Sequence, residues 1–392
     1  MKKQMEIMQE NFNPERGVAV KPRLQQYFEL LLFKATRMYS PSEYYLYRFN
    51  RKDKTFKVML DYLSARDFDR FCRPVFNNPA WGLLLENKWL THLHLSRLGF
   101  PTTKVMGLFK MPNGTTVEGD PLAKPADVME MLYKKRPSSL VVKPVAGGRG
   151  MFISVFSRLE YAQDDIYGIT PSGIKKSLSA LLNDKEQQAV SFPIRGTKSF
   201  CRGWLLEECL EPHGFFQKIC PYSIPSLRIV TFVDPGGEAE VLFASVRLSR
   251  KGTDVSNVEQ GAVVANIDIA TGALSVGRVK PQYGFAEHNV HPDSNVLFAG
   301  ETVPMWPQVI ETAKQAALAT PGHRSVGWDI ALTPTGPVII EGNQHWALPS
   351  NQVATGQGLL TPQRRQQLKE MGLEFPAGGV SALLGKRLLR LK

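Results

Sequence analysis

Two apolar stretches in the last quarter of the chain carry acids along their length: Val326-Gly327-Trp328-Asp329-Ile330-Ala331-Leu332 and Val338-Ile339-Ile340-Glu341-Gly342-Asn343. Pro334-Thr335-Gly336 lies between them and reads as a turn, so the stretches are expected to pair as a hairpin. If Thr333 pairs with Pro337, Asp329 falls directly opposite Glu341, and Asn343, two residues further on, shares their face. Two unpartnered carboxylates side by side repel each other, whereas two carboxylates and an amide oxygen suit magnesium, which takes oxygen ligands and bridges nucleotide phosphates. The competing account is that both acids pair with arginines or lysines. His345 and Trp346 have no comparable spacing and read as packing or rim residues.

A second feature is Leu140-Val141-Val142-Lys143-Pro144-Val145-Ala146-Gly147-Gly148-Arg149-Gly150, a buried-type strand that presents a lysine and then runs into three glycines within four residues. Glycines let the main chain approach oxyanions and turn successive N–H groups toward them, and a lysine adds a point charge for the same phosphates. Pro144 and the strand that follows argue against a P-loop, whose lysine comes after the glycines and opens a helix. Taken alone, the segment is equally well a hairpin turn with Lys143 reaching solvent.

Two further strands carry candidate chemistry. Trp204-Leu205-Leu206-Glu207-Glu208-Cys209-Leu210 ends in acids, and its main chain could bond an adenine edge with Leu210 over the ring, although many edge strands end in this way. In Ser226-Leu227-Arg228-Ile229-Val230-Thr231-Phe232-Val233, a fixed Arg228 guanidinium suits a transferring phosphoryl group or a carboxylate, with a structural salt bridge as the competing account.

These strands alternate with helical patterns, which makes the class α+β. Helices are expected over 22–38, where Tyr27, Leu30, Leu31 and Leu32 share a face, over 87–98, with Leu90, Leu93 and Leu98 toward a core, and over 306–319. Further strands are expected over 105–109, 151–156 and 241–248. The four cysteines form no CxxC pair, and the charged, amide-rich residues 1–16 lack the apolar run of a signal peptide or membrane span, so a reducing cytoplasmic setting is expected. The formal charge of +12 favours anionic ligands in general; no lysine/arginine run or aromatic-interleaved basic strand points to nucleic acid.

Taken in order, these segments resemble the ATP-grasp superfamily, and most closely its sugar-transfer associated branch, over roughly residues 85–350. The resemblance implies two α+β subdomains clasping ATP: a helical region over 1–84, a subdomain with the phosphate loop over 85–203, one with the metal site over 204–360, and a helical tail over 361–392. It implies that Lys143, Gly147, Gly148 and Gly150, with Lys88 of Glu86-Asn87-Lys88, hold the phosphates. Glu207, Glu208, Cys209 and Leu210 would line the adenine site, and Asp329, Glu341 and Asn343 would hold Mg2+, or Mn2+ in its place. Arg228 matches the arginine of the family's central strand.

The chain departs from relatives in three places. Its N-terminal region is helical, Gly261-Ala262 stands where relatives are richer in glycine, and Gly327 stands where some ligases carry arginine. Asn257 and Gly261 could line the site or form a turn. The reaction implied is attack of a substrate carboxylate on the γ-phosphorus to give an acyl phosphate, which an amine or hydroxyl then captures. Substrates would be small-molecule or sugar-linked carboxylates and amines, in the making of a sugar-containing polymer or secondary metabolite. The alternatives are a kinase of the same fold acting on a hydroxyl, and a non-catalytic nucleotide-binding partner of a glycosyltransferase complex. The basic, apolar segment 380–392 either docks onto the domain or touches an anionic membrane.

Overall fold

The computed structural model describes residues 19–37, 39–147, 150, 152–187, 192–193, 200–252, 261–279, 287–375 and 389–390. Gly148 and Asn257 lie outside these residues, as does most of the segment 380–392. A helical region precedes the sheets, as the sequence predicts. Among the described residues its first helix is α1 (Arg23–Arg37), and it continues through short helices such as Pro41–Leu46, which Ser40 and Glu43 start with a reciprocal capping box. Phe33, Tyr39, Tyr44, Tyr47, Phe49 and Tyr62 form its aromatic core.

Helix α2 (Lys88–Arg97) follows, capped by Asn87, whose Oδ1 accepts from the N–H groups of Trp89 and Leu90 at 3.0 and 3.2 Å. The expected inward face is corrected here. Leu93 and Leu98 are exposed and Leu90 is half-buried, whereas Thr91 and Leu95 are buried. Packing decides this: the Thr91 hydroxyl donates to the Leu84 carbonyl at 2.7 Å, and Leu95 joins the largest core cluster.

Among the described residues the first large sheet contains β1 (Val105–Phe109), β2 (Thr115–Thr116), β3 (Leu140–Pro144), β4 (Ser154–Phe156) and β5 (Trp204–Glu207), in the order β2-β1-β5-β3-β4. Two expected strands are shorter than the sequence suggests: β4 starts at Ser154 and β5 stops at Glu207. Helices α3 (Pro125–Lys135) and α4 (Leu178–Gln187) bury Val128, Leu132 and Leu182 in one core with Val142 and Leu206.

The second sheet runs β10-β9-β8-β7-β6-β11-β12, from β6 (Ser226–Val233), β7 (Ala239–Leu248), β8 (Val263–Ile267), β9 (Leu274–Arg278), β10 (Glu287–His288), β11 (Ser325–Thr333) and β12 (Gly336–Asn343). Every neighbouring pair is antiparallel. Helix α5 (Trp306–Leu318) covers one face, where Leu227, Ile229, Trp328 and Ile330 are buried. Alternation sends Arg228, Val230 and Phe232 to the other face. There Phe232 meets Phe76, with ring centroids 4.9 Å apart, while Trp346 meets Phe68 at 4.8 Å. The helices before the sheets thus cover one end of that face, and the charged end remains for the site. Near the C-terminus, Leu389–Arg390 pairs with Leu373–Glu374.

Candidate active site

The hairpin of β11 and β12 forms, but not with the register assumed from the sequence. Thr333 pairs with Gly336, not Pro337, and the same register continues through Leu332↔Pro337 and Ala331↔Val338 to Ile330↔Ile339. Continued further, it would set Ile340 opposite Asp329 and Glu341 opposite Trp328. An irregularity after Ile330 inserts Ile340 as an extra residue, and the pairing resumes as Asp329↔Glu341 and Gly327↔Asn343. Because a strand alternates faces, that single residue moves Glu341 from the buried Trp328 side to the Asp329 side. The tight turn and the bulge compensate one another.

The second sheet then lines up a charged row. Arg228 pairs across the sheet with Asp329 on one side and Ser245 on the other. Arg247, opposite Ser226, shares this face. Arg228 grips Asp329 as a fork, Nε to Oδ1 at 2.6 Å and Nη2 to Oδ2 at 2.9 Å, and Arg247 Nη1 approaches Oδ2 at 3.3 Å. Both oxygens of Asp329 are therefore engaged by guanidinium groups. Burial, then the charge of Arg228, lowers the Arg247 pKa, against which Asp329 and Glu341 act.

Glu341 is more open. Asn343 Nδ2 donates to its Oε1 at 3.2 Å and to the Gly327 carbonyl at 3.3 Å, and Lys88 Nζ stands 3.5 Å from its Oε2. Burial opposes its charged form, but Lys88, Lys143, Arg228 and the Asn343 amide outweigh that and lower its pKa to about 2. The carboxylate is ionised throughout the physiological range.

Lys88 links the two sheets. Its Nζ donates to the Gly147 carbonyl at 2.8 Å, and its main-chain N–H donates to the Val145 carbonyl at 2.8 Å, so the start of α2 is fixed to the end of β3. Gly147 and Gly150 have φ of +94° and +65°, a region that favours glycine, which accounts for their place in the loop. Lys143 pairs with Glu207 at 2.7 Å, and Glu207 also accepts from the Thr103 hydroxyl at 2.8 Å. Both partners are buried, so removing one would leave the other as an uncompensated charge.

The expected adenine segment has part of its main chain in use: Glu208 N–H donates to the Lys104 carbonyl and Cys209 N–H to the Ser139 hydroxyl, each at 3.0 Å. An adenine edge would have to use other main-chain atoms here. Burial raises the Cys209 pKa, which makes its thiol a packing group. Glu208 is half-buried and 3.7 Å from Lys104, and Leu210 is half-buried.

Sequence reasoning missed Arg247 and Thr103. A signal for Arg247 exists: it is a lone arginine inside the apolar strand Val241–Leu248, just as Arg228 is in its own strand. Thr103 lies in an irregular segment with no pattern to single it out. Gly327 acquires a packing reason, since a Cβ there would lie 2.7 Å from Trp346 Cβ and 3.2 Å from Arg228 Nη1. Trp346 is fully buried, a packing residue as expected.

The profile of the sugar-transfer associated ATP-grasp family matches residues 68–369. The chain belongs to that family. The matched span begins at the helix that packs Phe68 under the second sheet, and takes in both large sheets. Among solved structures, the chain is similar to the ATP-grasp ligase PsnB, complexed with a phosphomimetic variant of its minimal precursor, Mg and ADP. That match has 13% identity and a TM-score of 0.40, and covers 76% of this chain but only 61% of PsnB. It is also similar to the D-alanine–D-alanine ligase of Bacillus anthracis, with 13% identity, a TM-score of 0.37, and 74% and 66% of the two chains covered. A search of curated proteins gave no match.

Proposed function

We propose that this chain is an ATP- and magnesium-dependent ligase that activates a carboxylate as an acyl phosphate and joins it to an amine or hydroxyl. The family description motivates a sugar-containing acid or acceptor. The observation that carries the reading is Glu341: an ionised carboxylate turned by a bulge to the sheet face where the charges of Lys88 on α2, Lys143 on the first sheet and Arg228 on the second act on it. A carboxylate held among three cations, next to a glycine loop, suits a cation–phosphate complex better than a core.

The donor set fits magnesium in part. Glu341 and the Asn343 amide oxygen are the hard oxygen donors such an ion takes; Asp329, with both oxygens on arginines, fits only if those contacts are released. When bound, the ion would neutralise phosphate charge. The side chains do the rest. Lys88 and Lys143, with the glycine loop, hold the phosphates of ATP. Asp329 locks the Arg228 fork in one orientation and leaves Nη1, which has no hydrogen bond among the described residues, for the substrate. The substrate carboxylate oxygen bonds to the γ-phosphorus as the bond to ADP breaks. The amine or hydroxyl then bonds to the acyl carbon, and phosphate leaves with the electron pair of the C–O bond.

The test is ATP turnover over a panel of carboxylic acids with hydroxylamine as trap, in wild type and Glu341→Ala. Hydroxamate with ADP and phosphate, lost in the variant, is the expected result. ADP with a phosphorylated hydroxyl and no hydroxamate would make the protein a kinase, and AMP with pyrophosphate would overturn the acyl-phosphate mechanism.

A further inference from the structure

Helix α1 has two apolar faces. One, carrying Leu30 and Phe33, is buried against the aromatic core. The other is formed by Leu24, Phe28 and Leu31, which are 83%, 60% and 55% exposed, and is continued by exposed Ala35. These residues stand at i, i+4, i+7 and i+11, so they make one stripe along the helix, opposite the buried face. Three large apolar side chains in a row on one exposed surface form a patch, not scattered singles.

The exposed charges of α1 itself are of one sign. Arg23 and Lys34 are exposed beside it. The one acid of the helix, Glu29, is on the buried face, where Lys21 pairs with it at 3.0 Å and the Tyr44 hydroxyl donates to it at 2.6 Å. An apolar stripe flanked by bases, with the acid turned inward, complements an anionic bilayer, whose headgroups take the cations while the acyl boundary takes the leucines and phenylalanine. The chain's charge of +12 adds a long-range attraction of the same sign.

We infer that α1 is a membrane-docking helix, which lies in the plane of an anionic lipid surface and seats Leu24, Phe28 and Leu31 in it. No described helix is long and apolar enough to cross a membrane, so the contact is peripheral.

The experiment is co-sedimentation of the full chain with vesicles of phosphatidylcholine alone and of phosphatidylcholine mixed with phosphatidylglycerol, together with light scattering of the free protein. Wild type is expected to sediment with the mixed vesicles and to be released by raised salt. Phe28→Asp should weaken binding on the order of tenfold, and Lys34→Gln about fivefold. Because both positions are exposed, an unchanged far-UV spectrum and melting temperature will show that the fold is intact. A wild type that ignores anionic vesicles would overturn the inference, as would binding that Phe28→Asp leaves unchanged. A wild-type dimer that Phe28→Asp converts to monomer would assign the stripe to a second copy instead.

Discussion

Two sets of charged groups in this molecule are bonded in opposite ways. In the helical region before the sheets, Arg37 and Asp67 are almost wholly buried at 3.4 Å, yet Arg37 Nη1, Asp67 Oδ1 and the Tyr39 hydroxyl have no hydrogen-bond partner among the described residues. At the candidate site, Arg228–Asp329, Lys143–Glu207 and Lys88–Glu341 reach 2.6, 2.7 and 3.5 Å, and each pair extends to a further partner. The first set is sealed and incompletely satisfied, so it acts on stability. The second is tied together and partly open at Glu341 and Arg228, and in the proposed function it is the set that meets the ligand.

That contrast can be broken in several ways. Arg37→Met strands the Asp67 carboxylate and should cost about 3–5 kcal/mol in chemical denaturation while leaving ATP affinity of the folded protein unchanged; a lowered affinity would join the two sets. Glu341→Gln keeps volume and removes charge, and should reduce ligase turnover on the order of a hundredfold with little change in melting temperature. If the melting temperature falls and turnover survives, Glu341 belongs with the structural pair.

Gly327→Ala tests where the two kinds of role meet, because its Cβ would press on Trp346 and reach the Arg228 guanidinium. It should cost about 1–3 kcal/mol by overpacking and also lower turnover; a loss in stability alone would detach Arg228 from the chemistry.

The smallest effect concerns pH. Burial, partly offset by Arg37, raises the Asp67 pKa to about 6. Since the folded state holds this proton more tightly than the unfolded chain, Asp67 stabilises most below its unfolded pKa of about 4, and the contribution is lost as pH rises through about 6. Denaturation across that window should show stability falling on the order of 1–3 kcal/mol, and Asp67→Asn should flatten the slope. Glu341, with its pKa at about 2, would produce no such slope there.

Much of this was legible beforehand. Strands β1, β3 to β7, β11 and β12, the hairpin near the C-terminal end, the lysine before the glycines and the family itself could be read because each rests on local composition or on the order of segments, whereas β2, β8, β9 and β10 carry no pattern that singled them out. The failures are as particular. Leu93 and Leu98 were expected inside, and the neighbours of α2 left them out; a short helix with apolar residues on several sides does not choose its own buried face.

The sequence by itself determined which residues can bear charge in this protein and on which strands, since alternation along a strand is a property of the backbone. Only the tertiary structure decided what those charges meet. Arg228 and Asp329 are 101 residues apart, and their fork depends on β6 and β11 lying side by side. Glu341 faces them because of one bulged residue, Ile340, which no local propensity marks. Pairing partners and register are set by how the whole sheet packs on its helices, and that information is spread over the chain rather than written at the site.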